Sequence, residues 1–189
     1  MMRIISGVAK GRALTSVAHA TRPTSDRARE ALFSTLVSEF GNFDGLNFLD
    51  LYAGTGAVAL EALSRGARLV HAVEKDGAAS AVIASNYDLV KQSKPKGDFH
   101  LYSMPVTRFL TENTSSTLYH IVFIDPPYEL SNSEIEQMLE QLLSHLDPIA
   151  LIAVERESKS TPFSWPAGYV AIREKNYGTA SIYYGGVAS

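Results

Sequence analysis

LNFLDLYAGTGAVALEALSR, residues 46–65, passes from an apolar run through a loop with two glycines into a helical repeat. Residues 46–51 read as a strand and residues 57–65 as a helix. Glycine lets the chain turn sharply and lets a ligand approach the backbone. The helix that follows turns its first N–H groups toward that ligand. A strand, a glycine loop and a helix in this order are the opening unit of an α/β sheet that binds something at its strand ends.

The same alternation continues outward. Strand-like runs at 69–73, 99–102, 119–124 and 150–154 are separated by helical stretches at 77–90, 106–110 and 133–146, and two late strands follow at 169–173 and 179–184. Upstream, Ala28, Leu32, Leu36 and Phe40 recur at helical spacing and predict a helix over 26–39, behind the capping candidates Thr24, Ser25 and Asp26. Two short runs, 3–6 and 12–15, flank Gly7 and Gly11 and predict a hairpin. Nearly all-apolar strands alternating with helices imply a mostly parallel sheet covered on both faces. The 189 residues suffice for one domain with a buried core.

Composition narrows the function. There is no cysteine, which excludes disulfides and thiolate metal sites. The five histidines lack ligand spacing and the carboxylates form no evident metal set, so no metal is expected. The start has no long apolar stretch, so neither a signal peptide nor a membrane span is read, and a cytoplasmic location is expected. The net charge of −3 is uneven: residues 1–30 carry six basic side chains against Asp26 and Glu30, a balance of +4, leaving −7 for the remainder. A basic segment on an acidic body suits a local anionic partner or a solvated surface.

Gly54-x-Gly56-x-x-Ala59, with Glu74 at the end of the next strand, fits either a nicotinamide dinucleotide or S-adenosylmethionine. Asp50 bears on the choice. A carboxylate just before the glycines is poorly placed beside a pyrophosphate but suits a sulfonium and an amino group. Glu74 can accept hydrogen bonds from both ribose hydroxyls.

FIDPPYEL, residues 123–130, ends another strand on the same side of the sheet. A planar amine has two donors to place. Asp125 can accept one and the Pro126 carbonyl the other. Pro126 and Pro127 hold that carbonyl still, and Tyr128 offers a flat face for a base. Held this way, an amine nitrogen turns its lone pair toward a methyl donor, and catalysis is orientation with complementary electrostatics.

Leu49 to Gly56 together with Asp125-Pro126-Pro127-Tyr128 resemble an S-adenosylmethionine-dependent amino-methyltransferase. Met2 to Gly7, Gly11-Arg12, Arg22 to Glu30 and the late Asn176-Tyr177-Gly178-Thr179-Ala180 are similar to the RsmD family, bacterial enzymes that methylate a guanine N2 in 16S ribosomal RNA. The resemblance spans essentially the whole chain. It implies a Rossmann-like methyltransferase fold over 21–189 with an RNA-facing N-terminal β-hairpin over 1–20. It implies cofactor contacts at Asp50, Ala53, Gly54, Thr55, Gly56, Glu74 and Met104, and target contacts at Asp125 to Tyr128. Arg3, Lys10, Arg12, Arg22 and Arg27 are the candidate RNA contacts. The implied partner is 16S rRNA or a small-subunit particle, met by a monomer with no membrane. One departure stands out. The family often places Asp or Asn beside the adenine four residues before its Phe-Leu pair, and here Phe109-Leu110 puts Pro105 there. The adenine amine is then left to a backbone carbonyl or a water. Other readings are an amino-methyltransferase for another nucleobase or a glutamine side chain, a nicotinamide oxidoreductase, and an RNA-binding module with an inactive pocket.

Overall fold

The computed structural model describes residues 2–16 and 26–189. Arg22, and the capping candidates Thr24 and Ser25, lie outside the described residues. The elements run α1 (Asp26–Phe40), β1 (Asn47–Leu51), α2 (Ala57–Ser64), β2 (Leu69–Val73), α3 (Gly77–Lys91), β3 (Asp98–Tyr102), α4 (Val106–Glu112), β4 (Tyr119–Ile124), α5 (Asn132–Leu142), β5 (Leu146–Glu157), β6 (Tyr169–Tyr177) and β7 (Ala180–Val187). They form one seven-stranded sheet in the order β3-β2-β1-β4-β5-β7-β6. The strands from β3 across to β5 are parallel, and β7 runs antiparallel to both β5 and β6.

Alternation along each central strand divides the core. Phe48, Ile121, Phe123, Leu151 and Ala153 face α1 and α2. Leu49, Leu51, Val122, Ile124, Ile152 and Val154 face α4 and α5. Both sides are apolar, as a sheet covered on both faces requires. β5 starts four residues before the apolar run at 150–154, and its first residues pair irregularly across a register shift. β6 extends past 173 through Glu174, Lys175 and Asn176 to Tyr177, a polar stretch where hydrophobic patterning gives no signal. Among the described residues no helix is long and apolar enough to cross a membrane.

The hairpin expected at 3–6 and 12–15 reduces to a single antiparallel bridge, Arg3 with Ala13, flanked by Ile4 N–H to the Arg12 carbonyl (2.9 Å) and Leu14 N–H to the Met2 carbonyl (2.9 Å). Side chains, not a ladder, fix it. Ile4, Ala9 and Leu14 are buried in the core shared with α1 and α2. The buried Glu61 carboxylate accepts from the N–H groups of Ile5 (2.7 Å) and Ser6 (2.9 Å) and from Arg65 Nε (2.7 Å). Arg29, also buried, donates to the Arg3 carbonyl (2.6 Å) and Asp26 (2.9 Å). Gly7 has φ +82°, and a Cβ there would lie 1.9 Å from the Ser64 carbonyl oxygen, so only glycine lets the turn press onto the end of α2.

Candidate active site

The strand order reverses between β1 and β4, because β1 leads to β2 on one side while β4 and β5 continue on the other. Crevices at such switch points, beyond the carboxyl ends of the strands, are where open α/β sheets hold ligands. Both loops singled out in the sequence start there. Leu51 pairs with Ile124, and the Asp125 N–H reaches the Leu51 carbonyl (3.3 Å).

The glycine loop is wound tightly. Tyr52, Gly54 and Gly56 have φ of 63°, 56° and 74°. For Tyr52 this is a strained conformation; its hydroxyl reaches the Met138 sulfur of α5 (3.7 Å). Gly56 is the N-cap of α2 and has no side chain to satisfy the first turn. Asp50 does that from the strand below, accepting from the Ala59 N–H (3.0 Å). Glu74 accepts from the Gly54 N–H (2.9 Å) and the Asp76 N–H (2.9 Å). Asn86, fully buried on α3, donates to the carbonyls of Thr55 (3.0 Å) and Thr15 (3.0 Å) and accepts the Thr15 N–H (2.8 Å).

The expected cofactor residues therefore divide. Ala53, Gly54, Glu74 and Met104 are partly exposed, whereas Asp50, Thr55 and Gly56 are buried. A methyl group added at Gly54 would meet nothing within 4 Å, while one at Gly56 would come within 3.1 Å of Ile83. Gly54 thus presents backbone to open space, and Gly56 serves the turn and its packing on α3. Asp50 is 1 % exposed. Burial holds its carboxyl well above the usual range, the Ala59 hydrogen bond opposes this, and the nearby Asp125 and Glu74 raise it further. Three acids thus converge beside one glycine loop. Met104 sits on an open pocket of about 400 Å³ that it shares with Tyr102, Phe109 and Asn113.

In the second loop Pro126 is buried, Asp125 partly exposed, and Pro127 and Tyr128 exposed. The Leu130 N–H closes a turn onto the Pro127 carbonyl (3.0 Å), which places Tyr128 in the turn. A capping box between Ser131 and Glu134 then starts α5. Among the described residues no backbone donor reaches the Pro126 carbonyl. Arg156, near the end of β5, donates to the carbonyls of Pro127 (3.3 Å) and Leu130 (2.9 Å).

The candidate RNA contacts are not one patch. Met2 lies at the glycine loop, its sulfur 3.6 Å from the Thr55 hydroxyl. The Gly7–Gly11 turn lies at the opposite end of α2, where Val8 and Ala9 bond to Ser64. Lys10 is in that turn, and Arg12 bonds Ser93 (2.7 Å) and Gln92 (3.1 Å) just past α3. Arg27 is exposed in the first turn of α1, and Arg3 is exposed beside Ala13. Asn86, Glu61 and Arg156 escaped the sequence reading. Asn86 and Glu61 left a trace there, as polar residues on the apolar faces of predicted helices.

Known proteins match this chain closely. The profile of the family described as Conserved hypothetical protein 95 covers residues 2–185. The ribosomal RNA small subunit methyltransferase D of Haemophilus influenzae is 32% identical over 181 residues, 95% of this chain and 91% of that protein. Its namesake in Escherichia coli K12 is 34% identical over 175 residues, 92% and 84% of the two chains. Among solved structures, a hypothetical protein of Thermus thermophilus superposes with a TM-score of 0.81 at 27% identity, covering 97% of this chain and 98% of the other. The rRNA methyltransferase aviRa of Streptomyces viridochromogenes, at 18% identity and a TM-score of 0.70 over 94% of this chain and 90% of its own, shares the fold. With its sheet order, its glycine loop and these relatives, the chain belongs to the Conserved hypothetical protein 95 family, that of the small-subunit rRNA methyltransferases D.

Proposed function

We propose that the protein methylates the exocyclic N2 of a guanine in 16S ribosomal RNA, using S-adenosylmethionine. The convergence of Asp50, Glu74 and Asp125 on the glycine loop carries this reading. A negative crevice suits a cationic cofactor and repels a pyrophosphate. The strand order 3-2-1-4-5-7-6, with β7 antiparallel, also departs from the 3-2-1-4-5-6 order of the dinucleotide-binding sheet. Both observations weigh against the nicotinamide reading. The names of the relatives supply the rRNA substrate, and family resemblance supplies the guanine N2.

When bound, S-adenosylmethionine supplies an electrophilic methyl group on sulfur. Ala53 and Gly54 would hold it through their backbone, Glu74 would accept from its ribose hydroxyls, and Met104 would line its base. Asp50 accepts the Ala59 N–H from beneath the loop and so fixes the start of α2. The target guanine leaves its stack and lies against Tyr128. Its N2 protons go to Asp125 and the Pro126 carbonyl, which orients the nitrogen lone pair along the line of attack. Asp125, or water, would take the proton that N2 gives up as it accepts the methyl group. Arg3 and Arg27, both exposed, would meet RNA phosphates. Lys10 and Arg12 would meet phosphates beyond the far end of α2, where the Gly7–Gly11 turn packs on Ser64.

Labelled methyl transfer to small-subunit RNA or particles, followed by nucleoside identification, tests the proposal. N2-methylguanosine is the expected product. A methylated adenine or glutamine would support the other amino-methyltransferase readings, and no transfer with tight RNA binding would support the inactive module.

A further inference from the structure

Among the described residues, Arg156 is the one basic side chain buried beneath the target loop. It is 5 % exposed and stands two residues beyond Val154 on β5, so its side chain leaves the sheet on the α5 face, under residues 125–130. Its Nη1 and Nη2 reach the carbonyls of Pro127 and Leu130, the two ends of the turn that contains Tyr128. Its Nε is buried and makes no hydrogen bond. Burying a guanidinium is costly unless it is paired and hydrogen-bonded, and here the two carbonyls supply hydrogen bonds. A planar fork with donors on separate nitrogens can hold two carbonyls at once, and an ammonium cannot reproduce that geometry.

We propose that, in the methyl transfer described above, Arg156 is the positioning residue of the target loop: its guanidinium clamps the Pro127 and Leu130 carbonyls and so fixes the turn that carries Tyr128 just beyond the Pro126 carbonyl. The prolines stiffen the strand side of the loop, and the capping box anchors the helix side. The Pro127–Leu130 turn lies between those anchors, and Arg156 is the side chain that spans it. Its effect falls on the orientation of the bound base rather than on the cofactor, because the glycine loop is held by other groups.

The test compares Arg156→Lys and Arg156→Ala with the wild-type protein. In Arg156→Lys, amide exchange should quicken at residues 128–130 while residues 121–124 of β4 keep their protection. Single-turnover methyl transfer at saturating cofactor and RNA should fall by about 10²-fold, the cost of a small misplacement of reacting groups. S-adenosylmethionine affinity should stay within about twofold, and added guanidinium should restore part of the rate to Arg156→Ala. If Arg156→Ala fails to fold, the lysine variant alone decides. Unchanged exchange and rate in a folded Arg156→Lys would overturn the clamp, as would a loss of cofactor affinity equal to the loss of rate. Should the wild type leave ribosomal RNA unmethylated, the proposed function falls, while exchange at residues 128–130 still decides for or against the clamp.

Discussion

The two loops at the switch point are built with opposite polarity. The glycine loop is rich in N–H donors, and carboxylates frame it: Gly54 donates to Glu74 and Ala59 to Asp50. The proline loop has no N–H at Pro126 or Pro127, and a cation frames it through the carbonyls of Pro127 and Leu130. Each frame predicts its guest. An anionic frame around an open backbone favours a positively charged molecule. A loop of fixed acceptors, with Asp125 at its start, favours an amine that must place two protons. In the proposed reaction the two loops, side by side on adjacent strands, would present a methyl donor and a methyl acceptor, a positioning catalysis with little need for a strong base.

The largest effect should come from the proline loop. Asp125→Ala removes an acceptor for the target amine and should cut single-turnover methyl transfer by on the order of 10²–10³. Its S-adenosylmethionine affinity, read by calorimetry, should stay near that of the wild type. Equal losses in rate and cofactor affinity would dissolve the division between the loops. Glu74→Ala is the reciprocal change. It should weaken cofactor binding by about 1.5–3 kcal/mol, the worth of hydrogen bonds to a charged acceptor. RNA affinity should be untouched, and unchanged cofactor affinity would remove Glu74 from the site.

Much of this arrangement was legible in the sequence. β1, β2 and β4 are short apolar runs that end at turn residues, so the positions of both loops could be read directly. The frames could not. Asp50 looks like a residue that faces the cofactor, yet the α2 N-cap is a glycine and the first turn takes its acceptor from the strand below. Arg156 acts on carbonyls 29 and 26 residues away, a contact that only the pairing of β4 with β5 creates. The basic residues near the N-terminus show the same limit. Composition gave their sign, but Lys10 and Arg12 part from the crevice because the Gly7–Gly11 turn folds back onto Ser64. Deleting residues 1–16 would remove Ile4, Ala9 and Leu14 from the core, so charge substitution at Lys10 and Arg12 is the cleaner probe of RNA contact.

Asp50 sharpens the comparison, because it serves both the fold and the charge of the crevice. Asparagine keeps an oxygen for the Ala59 N–H and removes the buried charge. The folded-state pKa of Asp50 lies above its unfolded value, so ionising it costs stability as pH rises from the ordinary carboxylate range through that raised pKa. Asp50→Asn should therefore melt at or above the wild-type temperature at neutral pH, and it should lose that pH-dependent decline. Cofactor binding should weaken by on the order of 1 kcal/mol, less than at Glu74, since Asp50 acts only through its field. A lower melting temperature would show that the charge itself supports the loop.

The smallest effect should come from removing only the Tyr128 hydroxyl, at the tip of the proline loop. Tyr128 is 46% exposed, and its proposed role uses the ring rather than the hydroxyl. Tyr128→Phe keeps the stacking face and should change single-turnover transfer by less than about threefold. Tyr128→Ala removes a contact of the kind that is worth about 1–3 kcal/mol when a base stacks on an aromatic side chain. That loss should appear in RNA half-saturation as well as in rate, and the cofactor should bind as before. A severe Tyr128→Phe would move the hydroxyl into the chemistry. It would also make the proline loop a source of proton donors, against the acceptor polarity that sets it apart from the glycine loop.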